Sequence, residues 1–286
     1  MQLIREFDPW KGELCTCPEK YSLSPYTGCG HRCIYCYASS YIRDFYNPRP
    51  KNNFLKRIAR EIKKIKETSY ITISNSSDPY QPMEKNLELT RKTLEILKEY
   101  PFKIMIVTKS NLILRDIDIL KEFKNLVISI TLTTLDEEIS EKIEPFAPLP
   151  CERLKAIEIL SKYFPVVCRV DPLIYPLNTG KIGEIIKELK KRGVKQIITS
   201  TFKARPDSFK RMVKIFPQYK ELWERLYIVE GERKRGYFYL PENFRRKLIE
   251  EVYRITLEEK MDFSSCREGF SELNTKNCDG SSFFKV

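Results

Sequence analysis

Three cysteines lie close together in residues 28–38, GCGHRCIYCYA, where Cys29, Cys33 and Cys36 are spaced as C-x₃-C-x₂-C. A [4Fe–4S] cluster takes four ligands, usually thiolates. Three thiolates from one short loop would leave one iron with an open coordination position, which chemistry at a metal requires. Structural zinc usually takes two separated ligand pairs, and chance clustering of three core cysteines fits this Gly-, His- and Arg-containing loop poorly. The spacing therefore favours an open iron–sulfur site.

The segments that must position this loop alternate between β-branched apolar runs and amphipathic charged stretches. Strands separated by helices at this spacing indicate βαβ units and a parallel sheet. Six such units without a Gly-rich dinucleotide fingerprint favour an α/β fold, a partial (β/α)6 barrel, over a Rossmann fold. The predicted strands include residues 70–74, 102–108, 126–134, 165–173 and 194–202, and the predicted helices are residues 53–67, 86–99, 115–123, 136–143, 150–163 and 180–192.

The pattern predicts three regions along the chain. Residues 1–19 form a cysteine-containing N-terminal arm, residues 20–202 the barrel core, and residues 203–286 a C-terminal α/β extension that packs on the barrel. Within the extension, residues 237–240 predict a short strand and residues 241–260 a helix. The tail from residue 261 is rich in Ser, Asn and Cys and is expected to be irregular.

Composition narrows the class of protein. The 286 residues are 42% hydrophobic, which is ample for a packed core, and no apolar run approaches the roughly 18–20 residues that span a bilayer. The N-terminus lacks signal-peptide features, so we expect a soluble, cytoplasmic protein without a membrane partner. Nine cysteines in a reducing compartment favour metal or redox chemistry, and a single histidine, His31, disfavours serine-hydrolase triads. The Lys/Glu/Ile-rich composition is typical of a thermophile.

Several consecutive motifs carry a family resemblance. The cysteine triplet with Tyr35 directly before its last member is similar to the signature of the radical S-adenosylmethionine (SAM) superfamily. The runs KYSLSPYTGCGHRCIYCYA, SNSSDPYQPMEKNLELTRKTLEIL, TKSNLILRDIDIL and ISITLTTLDEEISEKIEPFAPLPCERLKAI resemble the spore photoproduct lyase-like, DNA repair photolyase-type branch over residues 20–201. The resemblance implies a partial barrel and a [4Fe–4S] cluster whose open iron binds SAM. One electron then cleaves SAM to methionine and a 5′-deoxyadenosyl radical, which abstracts hydrogen from a substrate.

The resemblance also implies roles for individual residues. Cys29, Cys33 and Cys36 would hold the cluster, and Tyr35 would pack near the adenine of SAM. The segment Ser74–Ser77, at the end of the predicted strand over residues 70–74, would replace the Gly-rich stretch that receives SAM's amino group. Lys109 and Ser129 match positions that contact the carboxylate or ribose of SAM. A solvated loop lysine is the alternative for Lys109. The implied SAM-binding set is Tyr35, Ser74, Asn75, Ser76, Asp78, Lys109, Ser129 and Arg169.

Strand alternation predicts a polar barrel lumen. Ser129, Thr131 and Thr133 share one face of their strand, and Arg169 and Asp171 share one face of the next. Charged groups in a buried strand are costly unless they are paired or bind a ligand. We therefore place Arg169 in the lumen near SAM or substrate, as a candidate catalytic residue. An Arg–Asp structural pair at the barrel mouth is the alternative.

The sequence departs from the lyase pattern at the hydrogen donor. Spore photoproduct lyase uses a cysteine shortly after the strand that corresponds to residues 70–74, and this chain has SNSSDPY there. Tyr80 is a candidate catalytic residue that could relay a hydrogen atom, although Asp78-Pro79-Tyr80 could equally be a turn that shapes the loop. Cys151 and Cys168 are expected to be packed thiols.

Four further cysteines occur in irregular, polar segments near the two ends of the chain, namely Cys15, Cys17, Cys266 and Cys278. Core packing explains such positions poorly. Convergence of the four thiols would suit an auxiliary [4Fe–4S] cluster, slightly favoured, or a structural zinc ion. Disulfides or free thiols are the alternatives.

The net charge of +12 is unevenly distributed. Residues 187–195 resemble a solvated helix face, whereas residues 203–211 and 233–246 combine cations with aromatics that could hold phosphates and stack bases. A nucleic acid is thus the expected substrate, either a DNA lesion or an RNA base, and the expected electron donor is a cytosolic carrier such as ferredoxin or flavodoxin. Two alternatives remain: radical SAM modification of a peptide, protein or metabolite, and a non-catalytic metal-cluster protein that binds nucleic acid.

Overall fold

The computed structural model describes residues 2–7 and 14–285. The strands are β1 (Arg5–Glu6), β2 (Tyr21–Leu23), β3 (Tyr26–Thr27), β4 (Arg49–Pro50), β5 (Tyr70–Ile73), β6 (Lys103–Thr108), β7 (Leu126–Thr131), β8 (Val166–Leu173), β9 (Gln196–Thr201), β10 (Glu232–Lys234), β11 (Tyr237–Tyr239) and β12 (Asp262–Ser265). The α-helices are α1 (Phe54–Glu61), α2 (Glu84–Leu87), α3 (Leu89–Leu97), α4 (Ile117–Leu120), α5 (Glu137–Ile143), α6 (Pro150–Leu160), α7 (Ile182–Lys191), α8 (Pro206–Ile215), α9 (Lys220–Trp223) and α10 (Glu242–Glu258).

One sheet organises the molecule. Its strand order is β1-β2-β5-β6-β7-β8-β9-β12, and every pair from β2 to β12 is parallel. The six strands β2 and β5–β9 form the six-unit partial barrel expected from the sequence, so the predicted fold class is confirmed. Strand β1 adds an antiparallel edge beside β2. Strand β12 adds a parallel edge beside β9 and comes from the tail, where the sequence pattern predicted no strand.

The two faces of the sheet differ as strand alternation predicts. Ile128, Ile130 and Cys168 are buried in the main apolar core with side chains of the surrounding helices, such as Leu94 and Ile186. The opposite face carries polar groups toward the carboxyl ends of β7 and β8. Burial of β-branched side chains against amphipathic helices thus turns the polar face inward, where it forms the lumen.

The expected helix over residues 86–99 is divided in two. Glu88 has a left-handed backbone (φ +53°) between α2 and α3. The buried carboxylate of Glu84 accepts hydrogen bonds from the backbone N–H groups of Thr90 (2.9 Å) and Arg91 (3.2 Å), which open α3. Arg115 neutralises the same carboxylate at 2.8 Å. A carboxylate at a helix N-terminus satisfies donors that have no partner within the helix, so α3 starts afresh there.

The C-terminal tail fills the end of the barrel at which the strands begin. Phe284 packs against Tyr70 with ring centroids 4.9 Å apart. Gly280 has a φ of +89°, and a Cβ there would lie 2.9 Å from Val167 Cγ2, so only glycine fits this close approach. A buried ion pair of 2.7 Å joins Asp279 to Lys20 just before β2. The lumen is therefore accessible mainly from the carboxyl ends of the strands, where parallel barrels position reactive groups.

Within residues 2–7 and 14–285, no helix has the length and apolar character that crossing a membrane requires.

Candidate active site

The cysteine loop follows β3 and is held by backbone contacts on several sides. Gly28 has a φ of +81°, and a Cβ at this position would lie 2.4 Å from the carbonyl oxygen of Phe45, so the turn requires glycine. The Cys29 N–H donates to that same carbonyl at 2.9 Å. On the other side, the guanidinium of Arg211 donates to the carbonyls of Ile34 and Cys36, both at 2.9 Å. These bonds fix the loop before any ligand binds.

The three thiols of the loop line one cavity of about 830 Å³. Burial raises the pKa of Cys29 to about 12 and also raises the pKa values of Cys33 and Cys36. Binding of iron would deprotonate these thiols to thiolates, because metal binding releases their protons. Soft sulfur donors on one compact loop, facing a cavity with room for a further ligand, fit a [4Fe–4S] cluster with one open iron.

Asp78, which follows β5, is a hub of hydrogen bonds at the cavity wall. It accepts from the Thr108 hydroxyl at 2.6 Å and from the Lys109 N–H at 2.7 Å, and His31 Nε2 lies 3.3 Å from its Oδ2. Burial alone would raise the pKa of Asp78, but His31 and these donors hold it below its ordinary value. The carboxylate thus ties the ends of β5 and β6 to the cysteine loop. Its neighbours Ser74, Asn75 and Ser76 line the same cavity.

Lys109 and Tyr35 meet at a buried carboxylate that the sequence did not single out. Glu144 accepts a hydrogen bond from the Tyr35 hydroxyl and another from Thr133 at 2.7 Å. Lys109 Nζ lies 4.0 Å from Glu144 Oε1 and 5.7 Å from the Tyr35 ring centroid. The fully buried Arg153 pairs with Glu144 at 2.5 Å. Burial opposes ionisation, yet Arg153 and Lys109 hold the pKa of Glu144 at about 2.

The lumen face of β7 and β8 carries the other predicted contacts. Thr131, Arg169 and Asp171 line the cavity, and Arg169 pairs with Asp171 at 2.8 Å. Ser129 is on the same face as Thr131 but one layer deeper, and it is not part of the cavity lining. Its hydroxyl is buried and lacks a hydrogen-bond partner within the described residues. The contact of Ser129 with SAM therefore stays a prediction.

Some sequence-based site predictions are not matched by position. Tyr80 is 1% exposed and packs in the main apolar core rather than against the cavity, so a hydrogen-relay role has no structural basis. Its N–H donates to Asp78 at 2.8 Å, which matches the alternative of a loop-shaping turn. Cys168 is packed in the core as expected. Cys151 is exposed on the first turn of α6, and the prediction that it is packed is wrong because that helix face points to solvent.

The structure changes the predicted phosphate-binding role of several basic residues. Arg245 is fully buried and donates to the backbone carbonyls of Leu240 (2.9 Å) and Glu268 (2.6 Å). Arg211 is the clamp on the cysteine loop, a positioning role that its place in the basic run did not reveal. Lys203 does line the cavity, but its ammonium pairs with the buried Glu268 at 2.7 Å. For Arg211 and Arg245 the phosphate-binding prediction is wrong, since partners within the fold already satisfy both guanidinium groups.

The four terminal cysteines are brought together on another part of the same cavity wall. Cys17 Sγ lies 3.8 Å from Cys278 Sγ. Each of these two also interacts with one of the remaining thiols, Cys17 with Cys15 and Cys278 with Cys266. The predicted convergence of sulfurs is therefore present in the fold, and the nature of any bound group stays a prediction.

Comparison with known proteins agrees with this geometry. A family model described as the radical SAM superfamily matches residues 23–189, more than half of the chain. An uncharacterized protein of Methanocaldococcus jannaschii is 32% identical over 144 residues, which cover 49% of this chain and 55% of that protein. An uncharacterized protein of Acidianus two-tailed virus is 30% identical over 177 residues, which cover 56% and 57%. The match thus spans little more than half the length of either relative.

Solved structures show the likeness in fold. A spore photoproduct lyase mutant with dinucleoside spore photoproduct superposes with a TM-score of 0.70 at 15% identity, covering 91% of this chain and 78% of that one. Streptococcus suis SuiB bound to S-adenosylmethionine gives 0.58 at 16% identity, covering 85% and 49%. The family match contains the cysteine loop, Asp78, Lys109 and strands β5 to β8, which form the part of the cavity wall around the cysteine loop. The chain belongs to the radical SAM superfamily, and this membership implies a [4Fe–4S] cluster and SAM as its cofactors.

Proposed function

We propose that this chain is an iron–sulfur enzyme that cleaves SAM reductively and removes a hydrogen atom from a nucleic acid. When bound, the cluster and SAM would supply a 5′-deoxyadenosyl radical that can remove a hydrogen atom from a substrate C–H bond, given one electron from a low-potential carrier such as ferredoxin or flavodoxin. The reaction would serve repair of a DNA lesion or modification of an RNA base.

The chain's own residues would bind and orient the reactants. Cys29, Cys33 and Cys36 hold the cluster at the cavity wall. Lys109 provides a cation for the SAM carboxylate, while Glu144 and Arg153 keep its ammonium and the Tyr35 ring in place. The Ser74–Asp78 wall, held by Thr108 and His31, shapes the part of the cavity next to the cluster loop. Arg169, paired with Asp171, remains a candidate contact for SAM or substrate.

The charge of the cavity supports an anionic substrate. Seven basic side chains line it against three acidic ones; the basic residues are Arg5, Lys20, Lys51, Lys109, Arg169, Lys203 and Arg267, and the acidic residues are Glu6, Asp78 and Asp171. Lys51 is the strongest indication of an anionic substrate, because it forms no ion pair with a carboxylate of the described residues. Burial, Arg5 and Arg57 lower the pKa of Lys51 to about 8. A half-buried cation crowded by other cations is a site that a phosphate would stabilise.

Aromatic rings beside the cysteine loop favour a nucleic acid among anionic substrates. Tyr37 and Tyr41 line the cavity, and Tyr41 is 47% exposed. Tyr237 lies 5.7 Å from Tyr37 between ring centroids, with the guanidinium groups of Arg205 and Arg267 at 4.5 Å and 5.0 Å from its ring. Tyr237 is itself 2% exposed, so base stacking would fall to Tyr37 and Tyr41, and phosphate contacts to the neighbouring guanidinium groups. A peptide or metabolite substrate would need neither.

The chemistry is tested with anaerobically reconstituted, dithionite-reduced protein incubated with SAM. We expect 5′-deoxyadenosine from the native protein and none from Cys33→Ala. Absence of the nucleoside from protein with a full iron complement, with damaged DNA and with tRNA present, would overturn the proposed reaction. It would favour the non-catalytic nucleic-acid-binding alternative.

The substrate class is tested by fluorescence anisotropy with labelled single-stranded DNA and RNA between 50 and 300 mM KCl, a range of roughly twofold to threefold change in Debye length. We expect affinity to fall steeply with salt, with the log–log slope reduced by about 0.7 in Lys51→Gln, the loss of one phosphate contact. Lys187→Gln is the matched control, because Lys187 is exposed on the outer helix α7. Salt-independent or absent binding would favour a peptide or metabolite.

A further inference from the structure

The cysteines near the two ends of the chain lie at the two edges of the open barrel. Cys15 and Cys17 lie between β1 and β2, at one edge of the sheet, and Cys266 directly follows β12, at the other edge. Cys278 lies in the tail that fills the barrel end. The Lys20–Asp279 ion pair joins the same two segments. The arm and the tail therefore meet where the strands leave the barrel unclosed.

The thiols form a connected group rather than separate packed residues. Cys17 Sγ and Cys278 Sγ are 3.8 Å apart, Cys15 interacts with Cys17, and Cys266 interacts with Cys278. The Thr16 hydroxyl also lies 3.5 Å from Cys278 Sγ. All four are free cysteines. Four thiols from segments about 260 residues apart in sequence do not meet by local chain geometry, so long-range packing has assembled them.

In the described residues, no three His, Cys, Asp or Glu side chains are already arranged to hold a metal ion. This holds for the terminal cysteines. It holds equally for Cys29, Cys33 and Cys36, which lie in the loop that binds a cluster in the radical SAM superfamily. In both groups the thiols would have to turn about their side-chain bonds to share a ligand.

We propose that Cys15, Cys17, Cys266 and Cys278 hold one zinc ion in tetrahedral coordination. With Zn–S bonds of about 2.3 Å, the edge of a tetrahedral S₄ site is about 3.8 Å, which is the spacing of Cys17 and Cys278. In a [4Fe–4S] cluster each thiolate binds a different iron of the cube, which holds the sulfurs further apart. The spacing therefore reverses the slight preference for iron–sulfur that the sequence suggested.

The surroundings match the charge of such a site. Four thiolates and one Zn²⁺ carry a net charge of −2, which buried surroundings must compensate. The positive charges of Arg169, Lys20 and Lys203 act on these thiols. Groups around the ligands that donate hydrogen bonds or positive charge stabilise a metal–thiolate centre. Arg169 would thus serve the zinc site from the lumen side.

The coordination would be closed and its role structural. Four protein thiolates leave zinc no position for substrate, unlike the three-cysteine loop. The ion would join the arm to β12 and the tail, and so close the barrel opposite the family's cluster site. Zinc binding by these four thiols does not depend on the proposed reaction.

Zinc is measured by elemental analysis in a tag-free protein in which Cys29, Cys33 and Cys36 are all replaced by Ala. We expect about one zinc per chain, reduced at least fivefold by adding Cys17→Ser and Cys278→Ser. Cys151→Ser is the matched control, an exposed thiol whose replacement leaves zinc unchanged. Folded parent protein without zinc would overturn the proposal, as would iron whose retention depends on Cys17 and Cys278.

A second measurement needs no further variant of the four-cysteine group. Cobalt(II) substituted into the same triplet-free protein should show the intense visible bands of a tetrahedral site and thiolate-to-metal charge transfer. Weak octahedral bands, or no protein-bound cobalt, would contradict tetrahedral thiolate coordination. The result stands whether or not the protein produces 5′-deoxyadenosine, because the triplet-free protein has no cluster ligands.

Discussion

Replacing Glu144 with Gln should destabilise the protein strongly at neutral pH. The carboxylate is fully buried, pairs with Arg153 at 2.5 Å and lies 4.0 Å from Lys109. Gln keeps the size and can still accept from the Tyr35 hydroxyl, so the change removes mainly charge. Arg153, which is itself 1% exposed, would be left as an uncompensated buried cation.

The magnitude follows from the pKa of Glu144, which is lowered from 4.5 to about 2. A shift of that size corresponds to about 3 kcal/mol of stability, because one pKa unit is about 1.4 kcal/mol. Breaking a buried pair by removing one partner costs a similar ~3–5 kcal/mol. With roughly 2–4 °C per kcal/mol in chains of this size, the melting temperature should fall by about 6–12 °C.

The pH dependence identifies the cause. A carboxyl whose pKa is lower in the folded than in the unfolded chain contributes its full stability above pH 4.5. That contribution is lost as pH falls toward 2. The difference between native and Glu144→Gln protein should therefore be constant from pH 7 to 5 and shrink below 4.5.

Thermal unfolding of cluster-free protein from pH 7 to 3 measures this difference. Glu141→Gln is the control, since Glu141 is exposed on the same helix α5 and should change stability by no more than about 0.5 kcal/mol. Adding Arg153→Met to Glu144→Gln should restore part of the loss, because both charges are then absent. A Glu144→Gln protein that melts with the native one at every pH would refute the reasoning.

Two further predictions concern the cysteine loop and the cavity charge. Arg211→Lys keeps the charge but loses the forked guanidinium that donates to the carbonyls of Ile34 and Cys36, so iron per chain after reconstitution and desalting should fall at least twofold. Lys210→Gln, a change at an exposed residue of the same helix, should retain as much iron as the native protein. Equal iron in both variants would contradict the role of Arg211 in holding the cysteine loop. Oligonucleotide affinity of the native protein should weaken as pH rises through about 8, because Lys51 then loses its proton. This loss of affinity should be absent in Lys51→Gln. The same dependence of affinity on pH in both proteins would exclude Lys51 from phosphate binding.

Local sequence was sufficient for the cluster loop and the frame around it. The C-x₃-C-x₂-C spacing depends on one short segment, so its chemistry is readable without any tertiary contact. The βα alternation and the polar faces of β7 and β8 were also predictable, because side chains alternate between the two sides of any strand. Arg169 and Asp171 accordingly line the cavity, and Cys168 is in the core.

Tertiary structure decided what each charge and each distant thiol does. Glu144 and Arg211 have no local pattern that separates them from solvated residues. Their roles come from Arg153, Tyr35 and the loop carbonyls, which only folding brings within hydrogen-bond range. Tyr80 was predicted to be in the site because it is close to Asp78 in sequence, but the turn after β5 directs its ring into the core.

The tail shows the same division most clearly. Its Ser-, Asn- and Cys-rich composition predicts irregular structure, and no local propensity marks Asp262–Ser265 as a strand. The strand forms because β9 presents an unpaired edge, whose backbone groups gain hydrogen bonds from any extended segment placed beside it. Sequence determined which residues could bind a metal and which face of each strand is polar. Only the folding of the whole sheet determined that cysteines from both chain ends would meet, because such contacts depend on long-range packing rather than on neighbouring residues.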